Sequence, residues 1–219
     1  VEGDSNIVIN DKDSAMTSIT VKKAPSIIPR KPKLYVLGDS LVAEYYGSFA
    51  DPDNDGVPAP GDAQTGWGQV LQNFVTDDIE VVNLAESGNY AEGLYNSPFK
   101  GVIANGQAGD YLLLECGYND KNYSTQAKMT TAVQNMIDEC RAKGIIPILV
   151  TPNASAHDFN NSVVWSSVLV SIAKEKGTFL VDLSKLSYEY LKNKGVDWAK
   201  MNTNIYYDGA SQDTLHASY

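Results

Sequence analysis

Arginine and histidine are nearly absent from this chain: Arg30 and Arg141 are its two arginines, His157 and His216 its two histidines. Its formal net charge is −10. Binding to nucleic acid rests on Lys and Arg neutralising phosphates, so this balance argues against a nucleic-acid partner. Long apolar runs are missing too. A membrane helix needs about 20 apolar residues, and the best run here, Ile145 to Val150, is broken by Pro147. No membrane partner is expected. Cysteine is equally scarce, with Cys116 and Cys140 alone. The pattern places Cys116 at the end of a strand and Cys140 at the end of the following helix, toward the opposite sheet edge. A disulfide needs Cα atoms within about 7 Å. Two buried free thiols are expected, and cysteine usage leaves the compartment undefined.

What is present is an ordinary globular composition, 43% hydrophobic and 20% charged over 219 residues, enough to bury a full core. The sequence starts at Val1 without an initiator Met or signal peptide and reads as a processed or excised piece. Its acidic, lysine-poor, tyrosine-rich character sets the expectation of a secreted, extracellular protein, and other domains of a larger multidomain protein are candidate partners.

Residues 1–32 differ from the rest. "NIVIN" and "SAMTSITVKKA" alternate apolar and polar residues around the turn-rich "NDKDS", predicting a β-hairpin. "PSIIPRKPK" then reads as a stiff extended linker. The segment is expected to be a β-rich arm, or the tail of an upstream β domain, ahead of a main domain over 33–219.

From Lys33 onward, apolar runs at Leu34–Leu37, Ile79–Leu84, Tyr111–Glu115, Ile145–Val150 and Thr178–Val181 read as strands buried on both faces. Helical patterns lie between them. The clearest covers 125–143, with Ser124 as N-cap and Gly144 just past the end. Another carries Trp165, Val168, Leu169, Ile172 and Ala173 and closes at Gly177. A shorter one starts near Ser184 with Leu186, Tyr190 and Leu191 inward. A further helix is expected from Leu41. The alternation predicts an α/β fold, a three-layer α/β/α sandwich whose five-stranded parallel sheet has flavodoxin-like order. In such sheets the ligand crevice lies outside the carboxyl ends of the strands.

Gly-Asp-Ser occurs twice, at 3–5 and at 38–40. The first copy precedes a hairpin strand and reads as a turn. The second ends the first parallel strand. The next strand ends in "NLAESG", up to Gly88, and the third in "CGYND", with Asn119 and Asp120. The last polar cluster is "DTLH", Asp213 to His216. Each has a plainer reading: Ser40 as a helix cap, Gly88 as a turn glycine, Asn119 as a cap and His216 as a solvated tail residue. Together, in order, they place a nucleophile, hydrogen-bond donors and an Asp–His pair at one crevice. Asp39 and Asp120 read as structural, bonding local backbone N–H groups. Trp67 reads as packing, and Trp198 is ambiguous.

These four blocks resemble the SGNH (GDSL-type) hydrolase superfamily over residues 33–216. "QTGWGQ" and "N-x-A-x-x-G" are further similar to its rhamnogalacturonan acetylesterase-like carbohydrate esterases. The resemblance implies Ser40 as nucleophile, His216 as base and Asp213 as its orienter. It implies an oxyanion hole from the Ser40 and Gly88 backbone N–H groups and the Asn119 amide. Asn89, Tyr118 and His157 are candidate substrate contacts. The implied reaction removes O-acetyl groups from a plant cell-wall polysaccharide, without a cofactor. The alternatives are a lipase or thioesterase of the same superfamily, and a non-catalytic glycan-binding or assembly module that retains the fold.

Two departures stand out. Close pectin-acting relatives carry GRS and GHND at the second and third blocks, where this chain has Gly88-Asn89-Tyr90 and Gly117-Tyr118-Asn119-Asp120. Losing the arginine weakens the case for a galacturonate-bearing substrate and raises that for xylan. Family members also continue past the D-x-x-H histidine into a final helix; without it an exposed apolar stripe is expected. Separately, Asp51, Asp53, Asp55, Gly56 and Asp62 occupy positions of an EF-hand-like loop, a candidate structural calcium site. Pro58 and Pro60 fit that loop poorly, and a solvated acidic loop is the competing reading.

Overall fold

The computed structural model describes residues 7–9, 19–21, 30–45, 65–154 and 159–193. The chain divides into two units, residues 1–31 and 32–219. In the first, β1 (Ile7–Ile9) and β2 (Ile19–Val21) pair antiparallel, with Ile7 opposite Val21.

In the second unit the elements alternate. They run β3 (Lys33–Leu37), α1 (Trp67–Val70) with a 3-10 turn at Leu71–Phe74, β4 (Glu80–Asn83), α2 (Ala91–Asn96), α3 (Pro98–Asn105) and β5 (Tyr111–Glu115). Next come α4 (Asp120–Tyr123), α5 (Gln126–Ala142), β6 (Ile146–Val150), α6 (Phe159–Lys176), β7 (Phe179–Val181) and α7 (Leu183–Asn193). The sheet order is β4-β3-β5-β6-β7 and every pairing is parallel. This is the three-layer fold expected from the alternating pattern. Among the described residues, no helix is long and apolar enough to cross a membrane.

Successive strand residues point to opposite faces. Tyr35, Leu37, Leu112, Leu114 and Leu149 enter one core with α2, α3, α5 and α6. Val36 and Leu113 turn to the other face, against Leu41, Val42, Tyr118 and Trp67. Trp67 is therefore a packing residue. An apolar groove of about 320 Å³ opens on that second face between Trp67, Leu71, Phe74, Leu113, Val150 and Val181. Cys116 and Cys140 are buried free thiols, as the spacing implied.

Three local expectations are corrected. The helix expected from Leu41 does not form; residues 40–42 make a turn. Trp67 N–H takes the Leu41 carbonyl (3.0 Å) and the Asn83 side chain takes that of Val42 (3.0 Å), acceptors a helix would have used. The N-cap of α5 is Thr125, whose hydroxyl accepts from Lys128 N–H; Ser124 instead donates to Glu92 (2.5 Å). In α7, Leu186 and Tyr190 point outward, at 56% and 58% exposure. Hydrogen bonds orient that helix: Ser184 N–H donates to Thr151 Oγ1 (2.9 Å), and Ala154 N–H donates to Ser187 Oγ (2.8 Å). Its hydroxyl side thus faces the end of β6.

Candidate active site

The carboxyl ends of β4, β3 and β5 lie side by side, because β3 sits between the other two in the sheet. Backbone bonds tie the segments leaving them: Leu84 N–H to the Val36 carbonyl (2.9 Å) and Glu86 N–H to the Gly38 carbonyl (3.0 Å). Ser40 lies in the turn after β3, partly exposed, with its carbonyl accepting from the Tyr45 hydroxyl (2.8 Å).

That turn is braced from the "QTGWGQ" block. Beyond the Trp67 bond, the Gln69 side chain accepts from Tyr45 N–H (3.0 Å). Gly66 lies so close that a Cβ there would stand 2.1 Å from the Ala43 carbonyl oxygen. Only glycine permits this backbone approach.

Gly88 belongs to a turn closed by Asn89 N–H donating to the Glu86 carbonyl (3.1 Å). Its φ is +78°, while a Cβ there would meet nothing within 4 Å. Backbone conformation, rather than crowding by the protein, is what calls for glycine at this position.

Asn119 joins the blocks. Its Nδ2 donates to Asp39 Oδ2 (3.1 Å) and to the Asn89 carbonyl (3.0 Å). Both acceptors face the same atom, which assigns it as nitrogen. Residues from the ends of three strands are thereby held at one edge.

Beneath this surface lies a group of buried acids. Asp39 Oδ1 accepts from Leu41 N–H (2.9 Å). Burial pushes its carboxyl up to about 7; the Leu41 bond offsets part of this, and the Asp120 charge adds to it. Asp120 accepts from Ala91 N–H (3.1 Å) and Gly117 N–H (2.9 Å), and burial also raises it. Glu115 is fully buried, with neither oxygen hydrogen-bonded. Its carboxyl is raised well above the usual range by burial and then by the Asp39 charge; the Trp67 indole lowers it in part, without forming an aligned hydrogen bond.

Among the expected site residues, Ser40, Gly88 and Asn119 come together. Asn89 spends its side chain within its own loop, on Tyr90 N–H (2.9 Å) and on Glu86 (2.7 Å). Tyr118, expected at the substrate, is buried to 7% exposure against Val36, Leu41 and Val42, and its ring has little surface to offer a ligand. Asp213, His216, His157, Trp198 and the candidate calcium ligands Asp51, Asp53, Asp55 and Asp62 lie outside the described residues. Two features were missed in the sequence. Asp39 holds Asn119, 80 positions away, as well as its local backbone. Glu115 is an acid closing the otherwise apolar strand "YLLLE", and that misfit was its available signal.

Residues 36–218 match the GDSL-like Lipase/Acylhydrolase family. The chain belongs to that family. It is similar to the uncharacterized esterase YxiM of Bacillus subtilis (strain 168), 29% identical over 98% of this chain. The chain spans 56% of that relative's length. The crystal structure of the YxiM protein superposes with a TM-score of 0.69 at 26% identity, covering 95% of this chain and 58% of that one. The rhamnogalacturonan acetylesterase RhgT of the same organism is 26% identical, covering 86% of this chain and 84% of its own.

Proposed function

We propose that this GDSL-family chain is a secreted serine esterase that removes O-acetyl groups from a plant cell-wall polysaccharide, pectin/rhamnogalacturonan or xylan. The observation that carries the reading is the Asn119 amide, tied at once to the Ser40 segment through Asp39 and to the Gly88 segment through Asn89. The similarity to an acetylesterase supports acetyl as the acyl group. The lack of an arginine beside Gly88 weighs toward a neutral sugar such as xylose.

In this reading Ser40 Oγ attacks the acetyl carbonyl carbon while His216 takes the hydroxyl proton. Asp213 fixes the imidazole tautomer and stabilises the imidazolium. The carbonyl oxygen becomes an oxyanion facing the Ser40 and Gly88 N–H groups and Asn119 Nδ2. Collapse breaks the ester C–O bond, and His216 returns the proton to the departing sugar hydroxyl. Water then attacks the acetyl-serine, His216 again taking the proton; the acyl C–Oγ bond breaks, His216 returns the proton to Ser40 Oγ, and acetate leaves. Both Asn119 amide protons are engaged in the resting site. An oxyanion therefore exchanges with the Asn89 carbonyl, on a surface loop, while buried Asp39 keeps its hold.

Labelling with a fluorophosphonate probe, followed by acetate release from acetylated pectin, xylan and mannan, tests the proposal. Labelling of the intact protein and none of Ser40→Ala is expected. Equal labelling of both, or no acetate from any of the three polymers, overturns it.

A further inference from the structure

The two segments that carry Gly88 and Asn119 also carry an aromatic pair that the reaction does not use. Tyr90 follows Asn89 directly and caps the start of α2. Tyr123 ends α4, one turn beyond Asn119, and its N–H donates to the Asn119 carbonyl (3.2 Å). In a helix the Cα–Cβ bond tilts toward the N-terminus, so the Tyr123 side chain leaves the backbone on the Asn119 side of α4. The Tyr90 and Tyr123 ring centroids are 5.8 Å apart, with planes inclined by 35°. Tyr123 is 63% exposed and Tyr90 half-buried. In the resting site the Asn119–Asn89 hydrogen bond ties the segments bearing these rings to each other (3.0 Å).

We infer that Tyr90 and Tyr123 form an aromatic wall beside the acyl site that stacks on the pyranose ring of the acetylated glycan. This rests on the polysaccharide esterase reading and extends it to a named sugar-binding subsite. A pyranose presents C–H groups on its faces and hydroxyls at its rim. A tyrosine pairs an apolar ring face with a polar tip, which suits both. The inclined pair offers a broad, rigid surface at low entropic cost, since each ring has few rotatable bonds. A flexible acyl chain would gain less from a flat, half-exposed wall than from an enclosed apolar channel.

The test uses Tyr123→Ala and Tyr123→Trp, since the exposed position tolerates change without disturbing the core. The readout is the kcat/KM ratio between an acetylated xylo-oligosaccharide and p-nitrophenyl acetate, with p-nitrophenyl octanoate as a third substrate. In Tyr123→Ala the oligosaccharide-to-acetate ratio is expected to fall about tenfold, mostly through KM, as loss of one stacked ring face implies. Tyr123→Trp is expected to retain it. A ratio within twofold of wild type overturns the inference, as does a selective loss on octanoate, which would make the wall an acyl-chain site. Acetate release by wild type with an unchanged variant ratio sinks the wall alone. No acetate release by wild type from any acetylated glycan sinks the polysaccharide esterase reading and the wall with it.

Discussion

Asn119 Nδ2 donates a 3.1 Å hydrogen bond to Asp39 Oδ2, joining the ends of β5 and β3 across the sheet edge. An acceptor buried to 1% exposure cannot be replaced by water without opening the core, so this bond fixes where the amide points.

In the proposed mechanism Asp39 acts on the reaction through Asn119. Asn119→Ala is expected to lower kcat on p-nitrophenyl acetate by about 10²–10³-fold with KM little changed, the range for a lost oxyanion donor. Asp39→Asn turns an amide N–H toward either Leu41 N–H or Asn119, and one of the two bonds is lost; a smaller fall, about tenfold, is expected. Because Asp39 works through Asn119, the double variant should match Asn119→Ala alone. Multiplying effects in the double variant would show that the two act separately.

Stability should fall as pH rises. Asp39 holds its proton to about 7 in the folded chain against an ordinary value of 3.8, and burial also raises Glu115 well above its ordinary range. Between these values the native state binds protons that the unfolded state has released. The stability is therefore fully present below about pH 4 as far as these groups are concerned, and is lost as pH rises through 7. The loss is on the order of a few kcal/mol. Urea unfolding at pH 5 and pH 8 measures it. Glu115→Gln, which keeps the shape and removes the charge, should flatten the slope and be more stable than wild type at pH 8.

At Gly88 the penalty should come from backbone conformation. With φ at +78° and open space around the missing Cβ, Gly88→Ala is expected to cost about 1–2 kcal/mol. Gly88→Asn should cost less, since Asn adopts the left-handed region more readily, and Gly88→Val more. Equal thermal shifts for all three would mean that the turn has relaxed to another conformation. A fall in kcat following the same order would tie the Gly88 N–H direction to the chemistry.

The thiols should be silent in the folded protein. Cys116 and Cys140 are 1% and 0% exposed; burial raises both, Cys140 to about 12. The thiolate is the reacting species. No reaction with a disulfide reagent at pH 8 is expected until denaturant is added, and two equivalents after it. Prompt modification of the native chain would contradict the packing around α5 and β5.

Local pattern alone determined the five parallel strands and the long helices of this protein. Short apolar runs such as "KLYVL" and "YLLLE", each followed by turn residues, suit buried strands, and the stripe from Met129 to Cys140 suits a helix packed on one face. It likewise brought Ser40, Gly88 and Asn119 to strand ends, where a parallel sheet makes its crevice. Partners distant in the chain decided the rest. Leu41 heads no helix because Trp67 and Asn83 take the carbonyls such a helix needs. Leu186 and Tyr190 face outward because Thr151 and Ala154 hold the hydroxyl side of α7. Asp39 meets Asn119, and Glu115 loses its water, only once β3 and β5 lie side by side. A hydrogen bond across 80 residues and a desolvated carboxyl are properties of neighbours, and neighbours are assigned by folding.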